Sequence, residues 1–271
     1  MNTQNPHTTP MCAGGGVTSH SNSHATLADS KNPASNDCCG ASDNSQATYA
    51  QKYAGGYGIR YPEGHVIRFY ERILRYELKK LSGKMLDFGC GNGTHAQYFT
   101  DKGYEVYGVD IIESALTQAS KAIGQRAKLI TPNQSLQGLF VDSHNKPLCF
   151  DIIFANQSLY YLDSEHLRNC VQELYDMSSP GAICFFTMMS RKNGYAKHIA
   201  RELENGLSEV VLSGRLQERS YIHFIDDVAG LQAAFAPFKP LYIGEYNIFE
   251  LYEPYSSEGS SHHFIFIGKK E

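Results

Sequence analysis

The chain has no apolar run approaching the roughly 20 residues that cross a bilayer, and it does not begin with a charged stretch followed by a hydrophobic one. It also lacks any long run of Lys and Arg, and its net charge is −4 over 271 residues. No extended surface is therefore offered to the phosphates of a nucleic acid. These absences lead us to expect a cytoplasmic protein with neither a membrane nor a nucleic-acid partner. A disulfide framework is not expected either. The seven cysteines are an odd number, and Cys90, Cys149, Cys170 and Cys184 stand among apolar residues, as small buried side chains do in a reducing compartment.

Large aliphatic and aromatic residues are nearly absent from Met1 to Thr48, where Ser, Asn, Thr, Ala, Gly and His dominate. Such a segment cannot bury enough apolar surface to offset the entropy of ordering, so residues 1–48 are expected to be a disordered tail. The tail carries His7, Cys12, His20, His24, Cys38 and Cys39, all of metal-ligating type. One adjacent Cys-Cys beside scattered histidines is not the two closely spaced pairs of a structural zinc site, and no metal is expected.

What remains, residues 49–271, has the apolar content for one sizeable core. Three-and-four spacing of Val66, Phe69, Ile73 and Tyr76, and of Leu74, Leu78 and Leu81, predicts a helix from His65 to Leu81 ended by Gly83. A short apolar run, Lys84 to Phe88, follows, and then a helix from Thr94 to Lys102 closed by Gly103. The unit repeats: the strand EVYGVD with a helix at ESALTQASKAIG, the strand KLIT, FDIIFAN with a helix from about Ser164 to Met177, and AICFFTM after the turn Ser-Pro-Gly. Alternating strands and helices imply a parallel sheet covered on both faces. LYIGEYNIFEL and HHFIFIGKK suit a final antiparallel pair.

Between the first strand and its helix lies LDFGCGNGTHAQYF, with glycines at 89, 91 and 93 and Asp87 just upstream. Such a turn sits where open parallel sheets bind ligands, and missing side chains let a ligand approach the backbone. The spacing is G-x-G-x-G, not the G-x-G-x-x-G of dinucleotide sites. A pyrophosphate would be repelled by Asp87, whereas an ammonium group would be attracted. Asp110, about 20 residues on, is placed as the ribose-binding acid is in dinucleotide sites. An ammonium together with a ribose describes S-adenosylmethionine.

LDFGCGNGTHAQYF, the acid-ended GVD, FDIIFANQSLYYL and SPGA resemble, in order, the successive motifs of the class I S-adenosylmethionine-dependent methyltransferases. The resemblance implies a Rossmann-like α/β fold, a mostly parallel seven-stranded sheet with helices on both faces and an antiparallel last strand. It further implies that Asp87, Gly89, Cys90, Gly91 and Gly93 surround the methionine part, that Asp110 holds the ribose hydroxyls, that Ile111 meets the adenine and that Asn156 floors the site. TPNQSLQGLF departs from the family's acidic and apolar-proline signature after the third strand, leaving Asn133 as a weak adenine contact. Each of these residues also has a plainer reading: glycines can serve the bend alone, Asp110 can cap a helix, and Cys90 can be packing rather than a nucleophile.

Methyl transfer is an in-line displacement that alignment can accelerate without a universal base. In such enzymes acceptor contacts come from the segment before the first strand, here Tyr53 to Val66, and from an insertion after the fifth, here Arg191 to Ile225, expected to cap the site. Tyr57, Tyr61, Tyr195, His198 and Tyr221 are candidate acceptor contacts, each open to a packing or surface reading. His223 in SYIHFID is the candidate base, because neutral imidazole can take a proton near physiological pH. Tyr160, with Tyr161, would contribute to catalysis or shape the pocket. The partner expected is a small-molecule acceptor with an O or N nucleophile, such as a carbohydrate or another biosynthetic intermediate. ANQSLYY lacks the Asn/Asp-Pro-Pro-aromatic sequence with which amino-group methylators grip a flipped base. Two other readings stay open: a non-catalytic S-adenosylmethionine-binding scaffold, and a nicotinamide-dinucleotide oxidoreductase.

Overall fold

The computed structural model describes residues 50, 58, 60–132, 134–213, 217–247 and 260–271. The expected tail, Tyr57 and Asn133 lie outside them. A central sheet is built from β1 (Gly83–Phe88), β2 (Tyr104–Asp110), β3 (Ala127–Leu129), β4 (Phe150–Ala155), β5 (Ser178–Met189), β9 (Lys239–Tyr246) and β10 (His263–Lys269). Its order is β3-β2-β1-β4-β5-β10-β9. The neighbours from β3 to β5 pair in parallel, and β10 is antiparallel to both β5 and β9. This is the fold class that the sequence implies.

Side chains alternate across the sheet, as the pleat requires. Leu86, Ile153, Cys184 and Phe186 face one core, which is covered by α4 (Ser164–Asp176) and α5 (Val228–Ala234). Met85, Ile152, Ile183 and Phe185 face the other, covered by α1 (Gly64–Arg68), its continuation and α2 (Thr94–Asp101). With both faces buried, β4 and β5 read as nearly continuous apolar runs. On the second face Phe69, Phe99, Phe154 and Phe185 form one aromatic cluster, with Phe154 and Phe185 stacked at 5.1 Å and Phe99 edge-on to Phe154 at 5.3 Å.

Several local readings change. The helix expected over His65 to Leu81 is α-helical only over Gly64–Arg68 and widens into a π-helix over Phe69–Glu77. The wider turn lets the Leu78 N–H donate to Ile73 O at 2.9 Å, five residues back. The helix ends through Lys79 in the left-handed region (φ 55°), not at Gly83. Gly83 opens β1 instead, at φ 137°, with the Asp151 carboxylate 2.7 Å from where a Cβ would stand. Asp151 Oδ2 there accepts the Lys84 N–H.

β3 is also shorter and one residue earlier than KLIT. The segment 191–225 contains a separate antiparallel sheet, β6 (Ile199–Glu202), β7 (Ser208–Ser213) and β8 (Gln217–Ile222), which no run in the sequence had signalled. The chain leaves the main sheet at Ser190 and returns at Ile225, where the two meet in a parallel bridge. α3 (Glu113–Ile123) packs beside α2. No helix among the described residues is long and apolar enough to cross a membrane.

Removing the ring at the centre of the aromatic cluster tests this packing. Phe154→Ala should lower unfolding free energy by about 3–5 kcal/mol, measured by urea denaturation. A loss below about 1 kcal/mol would show that the cluster is not a packed core.

Candidate functional site

The carboxyl ends of β1, β2, β4 and β5 lie along one edge, and β10, running the other way, begins there, with His263 opposite Met189. The turn after β1 takes Gly89, Gly91 and Gly93 through φ 75°, 52° and 80°. A Cβ on Gly89 would stand 2.3 Å from Ser158 Cβ, and one on Gly93 would stand 2.6 Å from Ala119 Cα on α3. Two of the three glycines are thus required by the protein's own packing, independently of any ligand. Ser158 fixes that contact by donating to Phe88 O at 2.8 Å.

Cys90 turns inward against Gly108, Leu116 and Ala119, and its N–H donates to Val109 O. Burial pushes the thiol well above its ordinary range. The side chain expected beside the cofactor is therefore a packing residue.

Asp110 ends β2 and holds the turn: its Oδ2 accepts the Gly91 N–H at 2.7 Å and its Oδ1 accepts the Ile112 N–H at 2.9 Å. Ile111 is half-buried next to it. Asp87 is 2% exposed, and its Oδ2 has no hydrogen-bond partner among the described residues. Burial first, and the nearby Asp110 second, push its pKa up to about 8. A buried oxygen of this kind is costly unless a donor reaches it. A ligand ammonium placed here would supply that donor and a compensating charge.

A second polar cluster surrounds the end of β4. Asn156 donates to Glu63 Oε2 at 2.7 Å and accepts from His65 Nε2–H at 2.9 Å. Gln157, held at φ 56°, donates its main-chain N–H to Thr187 Oγ1 and its amide to both Glu63 Oε1 and Tyr246 Oη. His65 stacks on Tyr246 at 4.0 Å, and Tyr246 stacks on His263 at 5.0 Å. His95, on the helix that follows the glycine turn, places Nε2 3.7 Å from Glu63. Burial lowers the pKa of His65, and brings those of His95 and His263 down to about 4. Among the described residues no group of three or more His, Cys, Asp or Glu could hold a metal ion.

The expected acceptor residues scatter. Tyr160 is buried and tilted against His263 at 5.7 Å, so it joins the second cluster. Tyr61 is 75% exposed and lines an outer cleft with Asn92, Gly93, Gln97 and Tyr98. Tyr195, in a short helical turn before the small sheet, directs its hydroxyl at Glu218, and Tyr221 stands opposite Glu209 within that sheet. His223 accompanies Ser164, Arg168, Asp226 and Asp227 in a cleft of about 390 Å³ with no residue of the glycine turn in its lining. The structure thus does not bring the expected base to Asp87 or Asp110. In its place stand Glu63, His65, His95, Gln157, Tyr246 and His263, none of which the motif pattern singles out. Glu63 and His65 do fall within the Tyr53 to Val66 segment flagged for acceptor contacts. The doubled histidine at the start of the last strand was the signal for His263.

Residues 86–186 match a family model described as a methyltransferase domain. These residues form a methyltransferase domain. It is 31% identical over 107 residues to a malonyl-[acyl-carrier protein] O-methyltransferase of Enterobacter lignolyticus, an alignment covering 40% of this chain and 39% of that relative's length. A SAM-dependent methyltransferase of Methanosarcina mazei shares the fold at TM-score 0.56 and 21% identity, over 74% of this chain and 97% of that one. So does the 1,6-didemethyltoxoflavin-N1-methyltransferase of Burkholderia thailandensis, at TM-score 0.55 and 16% identity, over 89% and 92% of the two chains. The turn carrying Gly89, Gly91 and Gly93, with Asp87 and Asp110, lies within the matched span of the methyltransferase domain, whereas Glu63, His65, Tyr246 and His263 lie outside it.

The neutral histidines give the protein an acid sensitivity of defined sign. Their folded pKa values lie below the ordinary 6.5, so their contribution is complete above pH 6.5 and is lost as pH falls toward about 4. Stability should fall by roughly 1 kcal/mol per pH unit for each imidazole across that window. Urea unfolding at pH 6.5 and pH 5 should show this slope in the wild type and a shallower one in His95→Gln. Equal slopes would mean that His95 titrates alike in the folded and unfolded chains.

Proposed function

We propose that this domain transfers a methyl group from S-adenosylmethionine to a small-molecule acceptor with an O or N nucleophile, by in-line displacement. The donor supplies an electrophilic methyl carbon on a sulfonium. Asp87 carries the proposal: its buried Oδ2 beside the glycine turn, without a hydrogen-bond partner among the described residues, is a receptor for an ammonium group. Asp110 already accepts main-chain N–H groups of Gly91, Ile112 and Ile111, and the remaining lone pairs of its oxygens can accept ribose hydroxyls. Asn156, held in the second polar cluster by Glu63 and His65, would floor the site. The relative and the neighbour named for their acceptors include one O-methyltransferase and one N1-methyltransferase, which supports methyl transfer and leaves the nucleophile open.

Asp110→Ala should weaken S-adenosylhomocysteine binding about 10- to 100-fold while the domain stays folded, because a hydrogen bond to a charged group contributes roughly 1.5–3 kcal/mol. Titration calorimetry measures this directly. Unchanged affinity in a folded variant would remove Asp110 from the ribose site. For the acceptor, a screen of small metabolites with isotope-labelled methyl donor identifies the product. A chain that binds the cofactor yet labels nothing would favour a binding scaffold.

A further inference from the structure

The sheet edge that presents Asp87 presents a second buried atom with no hydrogen-bond partner among the described residues, His263 Nε2. Its other ring nitrogen is fixed. Nδ1–H donates to Ser261 O at 2.8 Å, and a carbonyl can only accept, so the proton sits on Nδ1 and Nε2 carries a lone pair. The ring is clamped between Tyr246, stacked nearly parallel at 5.0 Å and 7°, and Tyr160 at 5.7 Å. Gln157 ties Tyr246 to the end of β4, and the next residue, Ser158, packs beneath Gly89. His263 is thus joined through Tyr246, Gln157 and Ser158 to the turn proposed to hold the methyl donor.

Resting on the proposed methyl transfer, we propose that the acceptor is a hydroxyl compound and that His263 Nε2 is the group that receives its O–H, first as a hydrogen bond and then as a proton. As the hydroxyl oxygen bonds to the methyl carbon, with the C–S electron pair left on sulfur, the O–H pair stays with oxygen and the proton passes to Nε2. The surroundings keep that nitrogen available. The titratable or charged groups facing the ring are His65 from the N-terminal segment with Glu63 behind it, Tyr160 after β4, Tyr246 and Glu245 on β9, and His262 on its own strand. Burial, His65 and His262 together hold the imidazole neutral down to about pH 4. So weak a base still suffices for a hydroxyl, because oxygen that has gained a methyl group before losing its proton is a far stronger acid than an imidazolium. A methylated amine is not, and would keep its proton.

The test uses the full chain, deproteinised cell extract as the source of acceptor, and S-adenosylmethionine with a labelled methyl group. His263→Gln should bind S-adenosylhomocysteine within about threefold of the wild type yet form 10²- to 10⁴-fold less labelled product, the range typical of a lost general base. The wild-type product should carry its label on oxygen, and its rate should be flat from pH 6 to pH 8. Undiminished product in His263→Gln, label on nitrogen, or a rate limb near pH 6.5 would each overturn the assignment. Imidazole nitrogen NMR of the wild type gives a check that needs no variant to fold: Nε2 should be unprotonated at pH 7, and an Nε2–H tautomer would overturn the proposal. Failure of the wild type to bind S-adenosylhomocysteine would instead refute the underlying transferase reading. Cofactor binding without any labelled product would refute both transfer and base.

Discussion

Asp87 is a carboxyl group buried at the end of β1 whose second oxygen meets no donor among the described residues. Much of the site depends on keeping it that way. The glycine turn passes over it through three left-handed residues, held shut by the Gly91 N–H on Asp110. Ser158 and Ala119 press against Gly89 and Gly93 so closely that no side chain fits. Cys90 fills the space behind the turn with sulfur and carbon instead of a donor. The result is a pair of buried acids near each other, an arrangement that opposes ionisation of both. A cation that enters relieves the burial cost and the mutual repulsion together.

The second cluster has a similar logic on the other side of Asn156. Glu63 is reached by two amides and lies 3.7 Å from each of two imidazoles, yet burial keeps His65 and His95 toward the neutral form. The N-terminal segment is thereby fixed to the sheet edge through hydrogen bonds and ring stacking. Gln157 adopts a left-handed conformation that a non-glycine residue takes at a cost, and it makes hydrogen bonds to Glu63, Thr187 and Tyr246 from that position. Strain at the end of β4 is where a fixed acceptor site would store it.

The fold was legible because its signals are local. The strand runs that end at Asp110 and Asn156, the glycine spacing and the Ser-Pro-Gly turn each lie within about a dozen residues, and together they specify a parallel sheet and its ligand edge. The second cluster was not legible, because it is assembled across the chain: Glu63 meets Gln157, which meets Tyr246, which meets His263. His223 looked like a base from its neighbours in sequence, but β8 carries it to a cleft beside α4 and α5. The small sheet of 199–222 escaped for another reason. Its strands interleave charged residues such as Arg201, Glu209 and Arg219, which pair with one another across the ladder and hide the apolar alternation. The helix over 65–81 was visible as apolar periodicity, but its widening to a π-helix, in which Phe69, Tyr70 and Leu74 are buried, leaves no mark in that periodicity.

The central claim is that Asp87 is an ammonium receptor, and proton release tests it most directly. Burial holds its pKa up to about 8, so the carboxyl is mostly protonated at pH 7. An ammonium group docked on it must lower that pKa and expel the proton. Calorimetric titration of S-adenosylhomocysteine at pH 7, in two buffers of different ionisation enthalpy, should report close to one proton released by the wild type and almost none by Asp87→Asn. Equal heats in the two buffers for the wild type would contradict the account.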